Sequence, residues 1–157
     1  MALKIGDPVP DLAGTDQNGA PVRIAEFRGR YLIVFFYPRD GTAVCTKEAC
    51  LFRDAYEDLL ADEAAVIGVS VNSAASHRDF AEKQRLPFPL ISDADGSWRS
   101  GFGVPDMLWL IPRRVTFLID PAGIVRHVVD SLLDADKHVR ETREALKGLR
   151  EQNGTGR

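Results

Sequence analysis

The sequence predicts an α/β protein in which a mixed central sheet has helices on both faces, in a three-layer sandwich. Two observations lead to this prediction. Short runs rich in β-branched and aromatic residues alternate along the chain with longer segments whose apolar residues recur at helical spacing. In addition, turn signals typical of hairpins lie near both ends of the chain. Alternating strands and helices combined with hairpins are typical of a mixed sheet packed between helices.

The first part of the chain contains a hairpin signal followed by a buried strand. The pair Asn18-Gly19 lies between two short extended segments, and such a pair supplies the positive backbone angles of a tight hairpin turn. The unbroken apolar run 31–37 predicts a central strand that is covered on both faces. Pro38 ends this run, because proline has no backbone N–H to donate to a neighbouring strand.

Helices and strands then alternate over the rest of the chain. Apolar residues within 45–60 lie along one side of a helix, and 65–71 predicts the next buried strand. The later predicted elements are a helix from Asn72 or Ser73 to about Arg85, a short strand at 88–91, one or two helical turns within 96–102, paired strands at 115–119 and 124–129, and an amphipathic helix at 134–149. We therefore predict a single domain over residues 1–150 and a disordered tail at 151–157.

Composition and charge argue against several classes of function. The 157 residues are 45% hydrophobic and 27% charged, as expected for a folded globular protein. A net charge of -3 leaves no excess of positive charge for phosphates, so nucleic acid is not an expected partner. No apolar run approaches the roughly 20 residues that cross a bilayer. Without such a run or a signal-peptide stretch, we expect no membrane partner and a cytoplasmic location.

Two cysteines, Cys45 and Cys50, lie five residues apart at the predicted start of a helix. On a helix this spacing separates the Cα atoms by roughly 8 to 9 Å, whereas a disulfide requires less than about 7 Å. If both residues are helical, the bond forms only when that turn unwinds, which favours a reaction-linked disulfide over a static cross-link. Buried and inert cysteines are the common alternative, and a position just after a strand argues against it.

Metal binding and hydrolase chemistry are less favoured by the residues present. A zinc site requires three or four ligands, and His77, His127 and His138 lie at no ligand spacing from the cysteines or from one another. A cysteine hydrolase would use one of these histidines as a base, which only the tertiary fold could bring close. We therefore predict neither a metal nor a cofactor.

A thiol at the start of a helix receives only part of the stabilisation that ionisation requires. The helix N-terminus favours a thiolate by about 0.3 to 1 kcal/mol, whereas moving a thiol pKa from about 8.5 to about 6 requires about 3.4 kcal/mol. A guanidinium and further hydrogen-bond donors must supply the difference. Arg114, at the start of a predicted strand, is the preferred candidate, and Arg39, Arg53 and Arg113 remain open.

The motifs around the cysteines resemble those of the peroxiredoxins. Residues 38–45 read Pro-Arg-Asp-Gly-Thr-Ala-Val-Cys, which matches the Pro-x-x-x-Thr-x-x-Cys signature of that family. Residues 45–50 read Cys-Thr-Lys-Glu-Ala-Cys, which is similar to the Q-type subfamily, also called bacterioferritin comigratory protein. Further segments in the family's order extend the likeness over nearly the whole chain, and they are 6–12, 35–38, 52–54 and 114–120.

The resemblance implies a thioredoxin-like fold and a thiol-dependent peroxidase for hydrogen peroxide and organic hydroperoxides, active in antioxidant defence. By this likeness Cys45 would be the peroxidatic cysteine, and Cys50 would be the resolving cysteine of the same chain. Pro38 would shield the thiolate from water, Thr42 would hydrogen-bond to the peroxide, and Arg114 would stabilise the thiolate and orient the substrate. Thioredoxin or a similar dithiol would reduce the resulting disulfide. A monomer or a weak homodimer is the expected state.

Two further residues are expected to surround this site. Glu48 is either a first-turn acid that the helix dipole favours or a brace for an active-site arginine. Arg53 lies within one of the segments that carry the likeness.

Two other functions remain open from the sequence. A thiol-disulfide oxidoreductase of the thioredoxin type would use Cys-x-x-Cys. The longer spacing between Cys45 and Cys50 distinguishes this chain from that class. A redox sensor would oxidise once without peroxidase turnover.

Overall fold

The computed structural model describes residues 2–104 and 113–154, and its elements follow the predicted order. Seven strands, four helices and one 3-10 turn are present in these ranges. They are β1 (Ala13–Thr15), β2 (Pro21–Arg23), the 3-10 turn (Ile24–Phe27), β3 (Tyr31–Phe36), α1 (Ala43–Ala61), β4 (Ala64–Ser70), α2 (Ala74–Gln84), β5 (Leu90–Ser92), α3 (Ser97–Phe102), β6 (Val115–Ile119), β7 (Val125–Asp130) and α4 (Ala135–Gly154). None of the helices in the described ranges is long and apolar enough to cross a membrane.

Five strands form the central sheet in the order β5-β4-β3-β6-β7. β3 pairs in parallel with β4, and β4 pairs in parallel with β5. On its other edge β3 pairs antiparallel with β6, which pairs antiparallel with β7. β3 therefore has a hydrogen-bonded neighbour on both sides, and all six of its residues are buried. The predicted mixed sheet is confirmed.

The side chains of β3 divide the core into two layers, because successive residues of a strand point to opposite faces. Tyr31, Ile33 and Phe35 pack on one face with residues of α1, α2 and α4. The intervening residues pack on the other face with α3 and the N-terminal segment. Helices thus lie on both faces of the sheet, as the sequence predicts.

The N-terminal hairpin is present, but its turn differs in detail from the prediction. β1 and β2 pair antiparallel, separately from the central sheet. Only Gly19 of the Asn-Gly pair has a positive φ, at 81°. The carboxylate of Asp16 accepts hydrogen bonds from the backbone N–H groups of Asn18, at 2.8 Å, and Ala20, at 3.0 Å. This side chain closes the turn without a second left-handed residue.

The last helix is longer than the sequence predicts. α4 continues to Gly154, so residues 151–154 of the predicted disordered tail are helical, and residues 155–157 lie outside the described part. Arg150 supplies a physical reason, since its Nη1 donates to the backbone oxygen of Asp62 at 2.7 Å, at the end of α1. This contact fastens the last turns of α4 to the neighbouring helix.

We expect opposite stability changes from the same substitution at two glycines. In Gly68→Ala, within buried β4, the new Cβ would lie 2.7 Å from Cδ2 of Leu90 and 2.9 Å from Cζ of Phe35. Such crowding in a packed core should lower the free energy of unfolding by about 1 to 3 kcal/mol.

Gly148→Ala is the matched control for this substitution. Gly148 lies on the exposed side of α4, with no atom within 4 Å of the new Cβ. Alanine should therefore raise the free energy of unfolding by about 0.5 to 1 kcal/mol. Urea denaturation measures both values, and equal signs for the two variants would contradict the packing described here.

Candidate active site

Cys45 is the third residue of α1, in a buried position at the start of the helix. Its thiol is free. The first hydrogen bond of the helical type runs from the Thr46 backbone N–H to the Thr42 oxygen, at 2.8 Å. The backbone N–H of Cys45 comes one residue earlier and has no partner within the helix. The thiol therefore lies among unpaired donors at the positive end of the helix dipole, where negative charge is favoured.

Arg114 approaches Cys45 from the start of β6. Its Nη2 donates to the Cys45 sulfur at 3.1 Å, and its Nη1 donates to Glu48 Oε1 at 2.7 Å. Its Nε donates to the backbone oxygen of Leu132, also at 2.7 Å. Three contacts in three directions hold the guanidinium in one orientation, and its side chain is 3% exposed.

The structure decides among the four arginines that the sequence left open. Of these four arginines, Arg114 is the one whose side chain hydrogen-bonds to the Cys45 sulfur. Arg113 donates to Asp130 at the surface, at 2.5 Å, because successive residues of an extended segment point to opposite sides. Arg39 is exposed in the loop before α1. Arg53 pairs with Asp54, at 2.9 Å.

Glu48 lies completely buried between Arg114 and the last helix. It is the sixth residue of α1, and the first turn contains no acidic residue, so the alternative of a first-turn acid is wrong. Its Oε1 receives the Arg114 hydrogen bond. Burial raises the pKa of Glu48 to about 7, although Arg114 acts in the opposite direction. The structure places Glu48 as the brace of the arginine.

Thr116 and His138 complete this buried cluster, and the sequence analysis missed the contribution of both. Thr116 Oγ1 lies 2.8 Å from His138 Nδ1 and 3.5 Å from Glu48 Oε2. His138 Nε2 lies 2.6 Å from the backbone oxygen of Ser131. The two-residue period of β6 could have indicated that Thr116 shares a face with Arg114. No local signal could have placed His138, because α4 brings it there through tertiary packing.

Pro38 and Thr42 flank the loop that leads into α1. Pro38 is buried directly after the central strand. Thr42 is the N-cap residue of α1 and is exposed, and its hydroxyl donates to the backbone oxygen of Arg39 at 3.0 Å. The roles of Pro38 and Thr42 toward a peroxide stay predictions.

A second buried network, which the sequence analysis also missed, anchors this loop. The carboxylate of Asp40 accepts from the Tyr37 hydroxyl at 2.6 Å and from the Ser76 hydroxyl at 2.8 Å. It also lies 2.6 Å from His77 Nδ1. The Asp40 backbone N–H donates to Asn72 Oδ1 at 2.9 Å. Burial, with Asp40 close by, raises the pKa of Tyr37 well above its usual value, so the phenol remains a donor.

Cys50 lies on α1 beside the end of α2. Its free thiol donates to Gln84 Oε1 at 3.4 Å. Arg53 Nη1 donates to the backbone oxygen of the same glutamine at 2.7 Å. Arg53 therefore lies with Cys50 and Gln84, and the structure does not bring it to the group around Cys45.

The two cysteines are both helical, which keeps them apart. Five helical residues separate their Cα atoms by roughly 8 to 9 Å, beyond the reach of a disulfide. The first turn of α1 has no acidic residue and no side-chain cap bond from Thr42. A capping side chain contributes about 0.5 to 2 kcal/mol, so this turn opens more easily than a capped one. Over residues 2–104 and 113–154, no group of three or more His, Cys, Asp or Glu residues could hold a metal.

Comparisons of the sequence with known proteins identify relatives of this chain. The pattern of the AhpC/TSA family matches residues 5–128. The chloroplastic peroxiredoxin Q of Oryza sativa subsp. japonica is 41% identical over 145 residues, which cover 92% of this chain and 67% of that protein. The chloroplastic peroxiredoxin Q of Arabidopsis thaliana is 41% identical over 143 residues, which cover 90% of this chain and 66% of that protein.

Solved structures show the same arrangement of strands and helices. The crystal structure of peroxidoxin BcpB from Mycobacterium tuberculosis superposes with a TM-score of 0.87 and 35% identity, covering 93% of this chain and 97% of that chain. A bacterioferritin comigratory protein of Xanthomonas campestris, described for its alkyl peroxide reduction activity, superposes with a TM-score of 0.83 and 28% identity, covering 93% of this chain and 96% of that chain.

The buried carboxyl group of Glu48 should make stability depend on pH. Its pKa is about 7 in the folded protein and 4.5 ordinarily, so the folded state holds a proton that the unfolded state releases. The corresponding stability is complete below about pH 4.5 and disappears as the pH rises to about 7. The difference between these pKa values corresponds to roughly 3 kcal/mol. The Glu48→Gln variant should not lose this stability as the pH rises.

Urea denaturation at about pH 5 and about pH 8 measures the effect. The expected result is that the wild type loses more stability than Glu48→Gln over this interval. Glu144→Gln, at an exposed position on α4, is the control and should follow the wild-type pH profile. Parallel profiles for the wild type and Glu48→Gln would contradict the burial effect.

Proposed function

This chain belongs to the AhpC/TSA family and is a thiol-dependent peroxidase of the Q-type peroxiredoxins, and from that premise we propose that Cys45 attacks the peroxide and Cys50 then resolves the product. One observation carries the proposal. The fixed guanidinium of Arg114 lies 3.1 Å from the Cys45 sulfur at the start of α1, where the helix also favours a thiolate.

The chemical step joins sulfur to oxygen. The Cys45 thiolate attacks one oxygen of the peroxide, an S–O bond forms as the O–O bond breaks, and the second oxygen leaves as hydroxide or alkoxide, which takes up a proton. Cys45 becomes a sulfenic acid. Negative charge on both oxygens in the transition state is met by Arg114 and by the backbone N–H of Cys45. Donors that are already oriented lower the barrier without reorganising during the reaction.

Thr42 and Pro38 supply the remaining wall of the site in this proposal. The hydroxyl of Thr42 donates its hydrogen to Arg39, so its oxygen is free to accept a hydrogen from the peroxide. Such a contact would hold the O–O bond in line with the sulfur. Pro38 offers no N–H to water and is buried, which supports its role in shielding the thiolate.

The second half of the cycle requires α1 to open. The uncapped first turn unwinds, Cys50 leaves Gln84, and its thiol attacks the sulfenic sulfur. A disulfide forms and one water molecule leaves. A dithiol reductant reopens the disulfide by thiol exchange, and thioredoxin is the donor that we propose.

The proposed substrates are hydrogen peroxide and organic hydroperoxides. The alkyl peroxide reduction activity for which the Xanthomonas campestris relative was described supports the second class. A role in antioxidant defence follows from this chemistry. A cytoplasmic location and a monomeric or weakly dimeric state stay predictions.

Replacing each cysteine should stop the cycle at a different step. Cys45→Ser should abolish peroxide consumption, because the attacking sulfur is absent. Cys50→Ser should still react once and then remain at the sulfenic acid or oxidise further, without thioredoxin-coupled turnover.

Intact-mass analysis and peptide mapping after one equivalent of peroxide identify the oxidised species, and an assay of thioredoxin-coupled peroxide consumption measures turnover. The wild type should lose two hydrogens within a peptide that joins Cys45 and Cys50. Wild-type turnover in Cys45→Ser would refute the attacking role, and normal coupled turnover in Cys50→Ser would remove that residue from the cycle.

The two adjacent arginines should respond differently to the same substitution. Arg114→Lys loses the fork that contacts both Cys45 and Glu48, so the second-order rate constant with hydrogen peroxide should fall by about 10²-fold. Arg113→Lys is the matched control, since Arg113 pairs with Asp130 at the surface, and its rate constant should stay close to that of the wild type. Stopped-flow measurement of the first turnover tests both. Equal losses in the two variants would contradict the proposed role of Arg114.

A further inference from the structure

The buried cluster behind Cys45 holds few hydrogen atoms that can be donated, and each can be assigned. It contains the carboxyl group of Glu48, the guanidinium of Arg114, the hydroxyl of Thr116 and the imidazole of His138. All four side chains are buried. The positions of these hydrogen atoms determine whether the carboxyl group of Glu48 carries a charge. Only the effect of that charge on Cys45 rests on the proposed function.

The hydrogen on the His138 ring can be assigned first, because its Nε2 can only be a donor. Its Nε2 lies 2.6 Å from the backbone oxygen of Ser131, which can only accept, so Nε2 carries the hydrogen. Burial lowers the pKa of His138, and the positive charge of Arg114 acts in the same direction. The ring is therefore neutral at neutral pH, and the Nδ1 of a neutral ring with its hydrogen on Nε2 can only accept.

Thr116 has one hydrogen and two neighbours that could accept it. Its Oγ1 lies 2.8 Å from the accepting His138 Nδ1 and 3.5 Å from Glu48 Oε2. The shorter contact takes the hydrogen. Glu48 Oε2 then receives none from Thr116 and none from His138 Nδ1, which is also 3.5 Å away.

An ionised Glu48 would be costly in these surroundings. A buried carboxylate oxygen without a donor loses the hydrogen bonds that it makes in water. A proton on Oε2 removes this cost, because the new hydroxyl group can donate to the free lone pair of Thr116 Oγ1. Oε1 of the neutral carboxyl group still accepts from Arg114, so the guanidinium keeps its orientation.

The charges within the cluster lead to the same conclusion. Arg114 provides one positive charge, and an ionised Glu48 together with a Cys45 thiolate would provide two negative charges in a buried site. A protonated Glu48 leaves one positive and one negative charge. The other acids that act on His138, Asp130 and Asp134, are exposed, and Asp130 is paired with Arg113.

We propose that His138 keeps Glu48 protonated in the reduced protein by accepting the hydroxyl hydrogen of Thr116. The positive charge of Arg114 then stabilises the Cys45 thiolate and is not neutralised by Glu48. His138 is then a positioning residue, which acts through Thr116 and Glu48 without touching the sulfur. A protonated glutamate orients the arginine and does not compete for its charge.

Two variants at position 138 test this inference. His138→Leu removes the acceptor, so the Thr116 hydrogen turns to Glu48 and favours its ionised form. His138→Asn keeps an acceptor near the place of Nδ1 and should restore the wild-type behaviour. Infrared spectra of the reduced proteins at about pH 6 detect the carbonyl stretch of a protonated carboxyl group. Subtracting the spectrum of Glu48→Gln assigns this band to Glu48.

The expected result is a Glu48 band in the wild type and in His138→Asn, and a weakened or missing band in His138→Leu. Thr116→Val sharpens the comparison. In the proposal Thr116 Oγ1 accepts from protonated Glu48 Oε2 and donates nothing to it, so this variant should lose the Glu48 band at a lower pH than the wild type does. If Thr116 instead donates to Glu48, this variant should extend the band to higher pH, and His138→Leu should leave it unchanged, which would overturn the proposal.

The rate with hydrogen peroxide provides a second measurement that a purely structural role would not reproduce. His138→Leu should lower the second-order rate constant by about tenfold near pH 6. Near pH 9 Glu48 is ionised in both proteins, so the two rates should converge. An equal loss at every pH would contradict the proposal. His127→Leu, on β7 away from the cluster, is the control for loss of a histidine.

A measurement on the wild type alone tests the inference without requiring any variant to fold. Nitrogen-15 NMR of the histidine rings should show His138 as a neutral ring with its hydrogen on Nε2 at neutral pH. An imidazolium, or a hydrogen on Nδ1, would overturn the proposal. Neither this spectrum nor the infrared band requires peroxide. A failure of Cys45 to react would therefore count against the proposed function alone.

Discussion

The contact between the Arg114 guanidinium and the Cys45 sulfur is the interaction on which the proposed chemistry depends. A helix start favours a thiolate by about 0.3 to 1 kcal/mol, and a hydrogen bond to a charged group adds about 1.5 to 3 kcal/mol. The two together approach what a reactive thiolate requires, whereas the helix alone does not. The arginine must therefore be held in place, and Glu48 and the Leu132 carbonyl do so from two sides.

The fold brings these groups together through one antiparallel pairing. β6 lies beside β3, so the residue that precedes β6 lies next to the end of β3, where the chain turns into α1. Cys45 lies in the first turn of that helix, and Arg114 reaches it from the position just before β6. The central position of β3, buried on both faces, keeps both segments in place. The Asp40 network then fastens the intervening loop to the first turn of α2 and to Tyr37.

α1 meets two opposing requirements in the proposed cycle. Its first turn must be folded for Cys45 to benefit from the helix start, and it must unfold for Cys50 to reach the oxidised sulfur. The distribution of packing along the helix accommodates both. The first turn lacks a side-chain cap, whereas the later turns bury Phe52, Ala55 and Leu59 in the core. Local opening at the start can therefore leave the rest of the helix in place.

The sequence alone determined the strands, the helices, the two hairpins and the position of Cys45 at a strand-to-helix junction. These features depend on local periodicity, on proline and glycine, and on which residues prefer a pleated strand, all of which are visible within a few positions. The sequence also predicted Arg114, but could not separate it from three other arginines. Only the tertiary structure decided that choice, placed Arg53 beside Cys50, and joined Thr116 and His138 to Glu48. The reason is physical, because Cys45 and Arg114 are 69 positions apart along the chain, and their contact follows from strand pairing and helix packing that no local pattern encodes.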